Sequence, residues 1–273
     1  MKSLKPLLGL SVFATLSTAH ATSVSVNFAI STNDNNSVDA DETATIFRSV
    51  GGANWNHIEL RTSGTGGVTP TFDGTMLTDN VGGNAATLNT TIANGGGGGF
   101  ANFANVTSNP NRGLFGEAGL MQSYLNYGAA VPGETITVNG LGADFTTLGY
   151  NVYLYFDIGD QNRVYGHNVT DGTFSETYWT NDRSNSTAAF GSDPDNDGMM
   201  NWIQATGTTS GTATNDANYA FYSGLTGSSF TITGVSTGGR ATLSGFQIVA
   251  IPEPSSAALL GLAGLGFILR RRR

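Results

Sequence analysis

The chain contains no cysteine, which excludes a disulfide framework, a thiolate zinc site, an iron–sulfur cluster and a thiol nucleophile. Charge is also scarce, at 12% of residues, and lysine occurs only at Lys2 and Lys5. Histidine is confined to His20, His57 and His167, and none of them stands in a His-Glu-x-x-His metal spacing. Serine and aspartate are plentiful, yet no Gly-x-Ser-x-Gly nucleophile elbow for a Ser–His–Asp set is expected. The five-glycine run Gly95 to Gly99 lacks the Lys-Ser/Thr that completes a phosphate loop, so it reads as a flexible loop. What is abundant is glycine, 38 of 273 residues, a proportion that suits a loop-rich all-β chain. The formal charge of −8 argues against nucleic acid as a partner, because phosphate binding needs a basic face.

That charge is an average over three unlike segments. Residues 1–21 have a basic start at Lys2 and Lys5, an apolar run from Leu7 to Leu16, and a small-x-small site at Ala19-His20-Ala21. This is the pattern of a secretory signal peptide cut after Ala21. At the other end Ile251-Pro252-Glu253-Pro254-Ser255-Ser256 precedes an uncharged run, Ala257 to Leu269, and then Arg270, Arg271, Arg272 and Arg273. Pro252 and Pro254 keep the chain extended and bar an earlier helix start. The apolar run would span about 20 Å as a helix, a short membrane crossing that flanking serines and snorkelling arginines extend. The terminal arginines hold that end in the cytoplasm and the domain outside. Without Lys2, Lys5 and the four terminal arginines, the chain keeps six arginines, Arg48, Arg61, Arg112, Arg163, Arg183 and Arg240, against twenty acids from Asp34 to Glu253, a formal charge of −14 for the exported part.

The Pro-Glu-Pro triplet, the short Ala/Leu/Gly helix and the terminal arginine cluster together resemble the PEP-CTERM sorting signal of Gram-negative bacteria. The resemblance covers residues 251–273. It implies recognition by an exosortase, a membrane transpeptidase-like enzyme that cuts near the triplet and releases or re-attaches the protein at the surface. A plain tail anchor would explain the helix and the arginines but not the position of Pro252, Glu253 and Pro254.

Residues 22–250 show strand periodicity throughout. Val24, Val26, Phe28 and Ile30 alternate with Ser23, Ser25 and Asn27, the period of a half-buried strand. Tyr150, Val152, Leu154 and Phe156 form a second face with Asn151, Tyr153 and Tyr155 opposite, which predicts a central strand covered on both sides. Further strands are predicted at Thr135–Val138, Asn218–Tyr222, Ser229–Ile232 and Arg240–Ile248, and one or two helical turns at Leu120–Leu125. Glycine turns at Asn139-Gly140, Asp171-Gly172 and Thr226-Gly227 separate the runs. The expected fold is all-β: a single β-sandwich, jelly-roll-like, of roughly 230 residues. Its first and mid-chain strands, with Asn54-Trp55-Asn56 and Gly224 to Phe230, resemble a recurrent passenger domain of PEP-CTERM proteins, and the first and mid-chain strands also resemble those of malectin-like carbohydrate-binding jelly rolls.

Two features carry candidate chemistry. In Asp193-Pro-Asp195-Asn-Asp197-Gly198-Met199-Met-Asn201, oxygen ligands fall at positions one, three and five, glycine at six, a backbone carbonyl at seven (Met199) and Asn201 at nine, the arrangement of a calcium loop. The twelfth position is Gln204 in place of a carboxylate, and the same residues also read as an exposed Asx-capped turn. Tyr150, Tyr153, Tyr155, Tyr165, Tyr178, Trp179, Tyr219 and Tyr222 are many rings for so uncharged a chain. They read either as a sugar-stacking face or as sandwich core. Asp157 with Asp160 is a candidate carboxylate pair not distinguishable from turn aspartates.

The expectation is therefore an exported cell-surface or extracellular-matrix protein without catalytic activity. Its partners would be an exosortase-like sorting enzyme, the membrane and exopolysaccharide, with calcium as the one candidate cofactor. The alternatives are a secreted glycan-active hydrolase and a plain tail-anchored periplasmic protein.

Overall fold

Short, glycine-punctuated alternating runs cannot bury themselves singly, and among the described residues they pair into three sheets. The computed structural model describes residues 21–29, 55–59, 74–91, 99–102, 123–127, 135–156, 163–182, 202–239 and 241–252. In chain order the strands are β1 Ser23–Ala29, β2 Trp55–Glu59, β3 Thr75–Thr78, β4 Asn84–Thr91, β5 Gly99–Asn102, β6 Ser123–Tyr127, β7 Thr135–Asn139, β8 Tyr150–Tyr155, β9 Arg163–Thr170, β10 Ser175–Asp182, β11 Thr214–Asn215, β12 Tyr219–Leu225, β13 Ser229–Ser236, β14 Ala241–Leu243 and β15 Gly245–Ala250. One helical turn, α1 at Ala143–Thr146, precedes β8.

Sheet A runs β12-β8-β15-β1-β2 and sheet B runs β11-β10-β9-β13-β7-β4-β3. A small sheet C, β14-β6-β5, completes the set. Take β1, β7, β8, β9, β10, β12, β13 and β15 as first to eighth. The sheets then read first-eighth-third-sixth and second-seventh-fourth-fifth, which is the strand order of a jelly roll. The jelly-roll pairs are all antiparallel. The additions to this frame in sheets A and B are β2, laid parallel on β1, β11, laid parallel on β10, and the β3–β4 hairpin, which extends sheet B beyond β7.

The core lies between sheets A and B. Val24, Val26 and Phe28 of β1, Val152 and Leu154 of β8, and Phe246 and Ile248 of β15 meet Leu88, Ile136, Val138, Val169, Phe230 and Ile232 of sheet B. As expected, β8 is interior, between β12 and β15, with Tyr150, Val152, Leu154 and Phe156 in the core. On its opposite face Tyr155 is buried while Asn151 and Tyr153 are half-buried. Every side chain of β15, and Ser23 to Phe28 of β1, is buried, so these two strands are covered on both faces.

Two sequence expectations change. Helical turns were expected at Leu120–Leu125; Ser123 to Leu125 belong to β6, paired with β14 and β5, and residues 120–122 lie outside the described residues. Leu120, Met121, Tyr124 and Leu125 satisfy a helical spacing over too few residues to discriminate, and cross-strand pairing decides it. The Arg240–Ile248 run is two strands in different sheets. Ser244 breaks it: its amide donates to the Tyr155 carbonyl at 2.8 Å and its carbonyl accepts from the Phe28 amide at 3.0 Å. The chain thereby passes from sheet C into the centre of sheet A.

Candidate sorting junction and aromatic face

The antiparallel pairing of β1 with β15 brings the two ends of the domain together. Ser23 stands opposite Val249, and the Ala250 amide donates to the Thr22 carbonyl at 2.9 Å. The Ile251 amide then donates to the Gly149 carbonyl at 2.9 Å. Gly149 has φ +89, and a Cβ there would lie 2.8 Å from the Leu225 carbonyl oxygen, so this position requires glycine. Ala250 is buried, Ile251 half-buried and Pro252 exposed. The strand at the centre of sheet A therefore ends at Ala250, two residues before Pro252.

The same end of the sandwich, the exit end, carries the turns at Asp79–Gly83, Gly140–Gly149, Asp171–Phe174 and Thr226–Ser228. Asp171 ties two of them together. Its Oδ1 accepts from the Thr173 and Phe174 amides at 3.0 and 2.7 Å, and its Oδ2 from the Thr226 and Gly227 amides at 2.9 and 3.0 Å. Burial pushes this carboxyl up, but the four backbone donors outweigh it and hold it well below the usual carboxylate range. The Gly227 carbonyl accepts from the Tyr150 hydroxyl at 3.0 Å. Burial, with the Asp171 charge adding to it, raises that hydroxyl's pKa far above the ordinary tyrosine value.

The eight aromatic residues divide. Tyr150, Tyr155, Tyr165 and Tyr222 are buried. Tyr178 and Trp179 lie on β10 of sheet B. The half-buried rings that gather are on the outer side of sheet A: Tyr153 of β8 stands beside Phe221 of β12 at 4.8 Å, and Trp202 packs edge-on to Tyr219 at 6.2 Å and to Tyr155 at 5.2 Å. Burial raises the hydroxyl pKa of Tyr153, with Tyr219 adding to it, and burial also raises that of Tyr219. Both therefore stay neutral hydrogen-bonding groups at physiological pH. Polar atoms border the rings. The Tyr219 hydroxyl donates to Gln204 Oε1 at 3.2 Å, Asn151 Oδ1 accepts from the Gly224 amide at 3.4 Å, and the buried Tyr155 hydroxyl donates to Gln247 Oε1 at 2.5 Å. Gln247 in turn donates to Ser25 Oγ at 3.0 Å. This face sets half-buried rings beside neutral polar groups that are bonded to one another within the protein. Phe221 and Trp202 were not singled out from sequence. The register of β8 against β12 places Phe221 beside Tyr153, and the bonding of residues 203–205 to Asn218 and Tyr219 places Trp202 beside Tyr219.

Other sequence candidates resolve as follows. Asn56, next to Trp55 on β2, fastens sheet A to sheet B. Its Nδ2 donates to the Ser25 and Thr78 carbonyls at 2.9 and 2.8 Å, while its Oδ1 accepts from the Thr78 amide at 2.8 Å. His167 is wholly buried between the rings of Phe156 at 4.7 Å and Tyr165 at 5.9 Å. Burial lowers its pKa to about 3, against a hydrogen bond with the Thr242 backbone. One Gly-x-Ser-x-Gly spacing does occur, at Gly234 to Gly238. Ser236 there is the last residue of an antiparallel strand paired with Tyr165, and its Oγ donates to the Val164 carbonyl at 3.2 Å, which is not the strand-to-helix setting of a nucleophile elbow. Asp157, Asp160, the loop with Asp193, Asp195, Asp197, Met199 and Asn201, and Ala19, Glu253, Pro254 and Arg270 to Arg273 lie outside the described residues. Among the described residues no group of metal-binding side chains occurs, and no helix is long and apolar enough to cross a membrane.

Compared with known proteins, residues 250–273 match the model of the PEP-CTERM protein-sorting motif. No curated protein and no solved structure matches the chain. The motif marks the chain for export and for an exosortase-type sorting enzyme.

Proposed function

We propose that this chain is the membrane-anchored precursor of a non-catalytic jelly-roll module, displayed at the cell surface or in the extracellular matrix and associated with exopolysaccharide. The observation that carries the reading is the sorting motif itself, which begins where the last strand of the jelly roll ends. A signal peptide at residues 1–21 and the arginines at 270–273 give the export route and the orientation.

The binding part of the reading rests on the face formed by Tyr153, Phe221, Tyr219 and Trp202. Neutral polysaccharide suits that face better than an acidic one, because an exported part with a formal charge of −14 repels polyanions unless divalent cations bridge them. Calcium at the Asp193 loop would supply such a bridge. A non-catalytic role is supported by His167, which is enclosed in the core and not offered to a substrate.

The test is a Pro252→Ala, Glu253→Ala variant expressed in cells with a working sorting enzyme. Retention of the variant in the membrane fraction, with wild type at the surface, is the expected outcome. Surface display and processing like wild type would refute sorting by the triplet.

A further inference from the structure

The exit end of the sandwich carries two exposed apolar side chains beside the two chain termini. Val81 is 82% exposed at the tip of the β3–β4 turn. It is held out because Asp79 Oδ1 accepts from the Val81 and Gly83 amides at 2.9 and 2.7 Å. Its neighbour Asn80 is fastened to the first residue of β1: the Asn80 amide donates to the Ser23 carbonyl at 2.8 Å, and the Ser23 amide donates to Asn80 Oδ1 at 3.2 Å. Leu148 is 42% exposed and precedes Gly149, whose carbonyl holds Ile251. One exposed apolar residue is thus tied to the strand that follows the signal peptide, the other to the residue that precedes the sorting triplet.

The chain beyond Ile251 limits how far this end can stand from a bilayer. Five residues, Pro252 to Ser256, separate Ile251 from the apolar run. Fully extended they reach about 17 Å, and the polar layer of one leaflet takes roughly 5–8 Å of that. Of the three aspartates in these turns, Asp79 and Asp171 spend carboxylate oxygens on backbone amides, which lessens the cost of bringing this acidic domain's end to an interface, while Asp144 of α1 is exposed and would stand in the headgroup layer.

We propose that the exit end of the jelly roll is a lipid-facing surface in the anchored precursor, with Val81 and Leu148 seated in the bilayer interface. The proposal rests on the reading of Ala257–Leu269 as the membrane segment. It makes the partner of this end the lipid itself, and it leaves the outer face of sheet A and the far ends of the strands for other ligands.

The absence of cysteine makes the test direct. Full-length Val81→Cys, Leu148→Cys and, at the opposite end, Thr237→Cys variants are labelled with an environment-sensitive dye and reconstituted in phosphatidylcholine vesicles carrying nitroxide headgroups. Flotation with the vesicles tests the anchor, and quenching tests the surface. Strong quenching at 81 and 148 with little at 237 is expected, and addition of Val81→Asp to the labelled Leu148→Cys variant should reduce the quenching at 148. Flotation with equal quenching at all three sites, or with none at 81 and 148, overturns the surface while sparing the anchor. Failure to float overturns both.

Discussion

Asp171 Oδ2 accepts the Gly227 amide at 3.0 Å, so a carboxylate in the β9–β10 turn holds the β12–β13 turn in place. A Cβ on Gly227 would lie 2.9 Å from both Asp171 Cβ and the Ser229 carbonyl oxygen, so the approach depends on glycine. Asp171→Ala removes the acceptor for four backbone amides and is expected to cost about 2–3 kcal/mol in chemical denaturation. The carboxyl's folded pKa is depressed, so its contribution is present at neutral pH and is lost as pH falls below the unfolded value of about 4. An unchanged denaturation midpoint for Asp171→Ala would contradict this account of the turn.

His167 gives the domain a separate acid sensitivity. Its folded pKa is lowered to about 3, while in the unfolded chain it titrates near 6.5. Between those values the unfolded state binds the extra proton, so stability falls with falling pH, by at most about 1.4 kcal/mol per unit. Denaturation curves at several pH values should show this slope between about pH 6 and pH 4, and His167→Phe should flatten it whatever its cost at neutral pH. Equal slopes for the two proteins would place the titration elsewhere.

On the aromatic face, Tyr153→Ala and Phe221→Ala should each weaken retention by a neutral polysaccharide in affinity electrophoresis by roughly tenfold, as for a buried aromatic anchor. Tyr178→Ala, on the other sheet, should not. Equal retention of all three variants would remove this face from the binding reading.

Calcium is expected to bind the Asp193 loop weakly, because Gln204 at the twelfth position offers one neutral oxygen, and that oxygen already accepts from Tyr219. Isothermal titration at millimolar calcium should give heat with wild type and none with Asp195→Ala. Absence of heat from both proteins, with thermal stability unchanged, ends the calcium reading.

The strands that alternate cleanly, β1, β7 and β8, were legible because one face is apolar and meets the core. The β9–β10 hairpin was legible only at its Asp171-Gly172 turn. Its strands are rich in threonine, asparagine and serine, and they hold their place by ladder bonds and by their neighbours in sheet B, which no local pattern records. The break at Ser244 was hidden inside a run read as one strand, Arg240–Ile248, because a change of sheet depends on pairing partners that the local pattern does not record. Trp179 and Tyr153 looked alike as sequence, yet they fall on different sheets. The sorting segment was the most legible part, since its proline triplet, apolar run and arginines act in linear order and need no tertiary partner.

The most direct test of sorting is mass spectrometry of the C-terminus of the protein recovered from the cell surface. A terminus near Pro254, downstream of the intact β15, is the predicted result. An intact Arg273 on the surface-recovered protein would contradict exosortase processing.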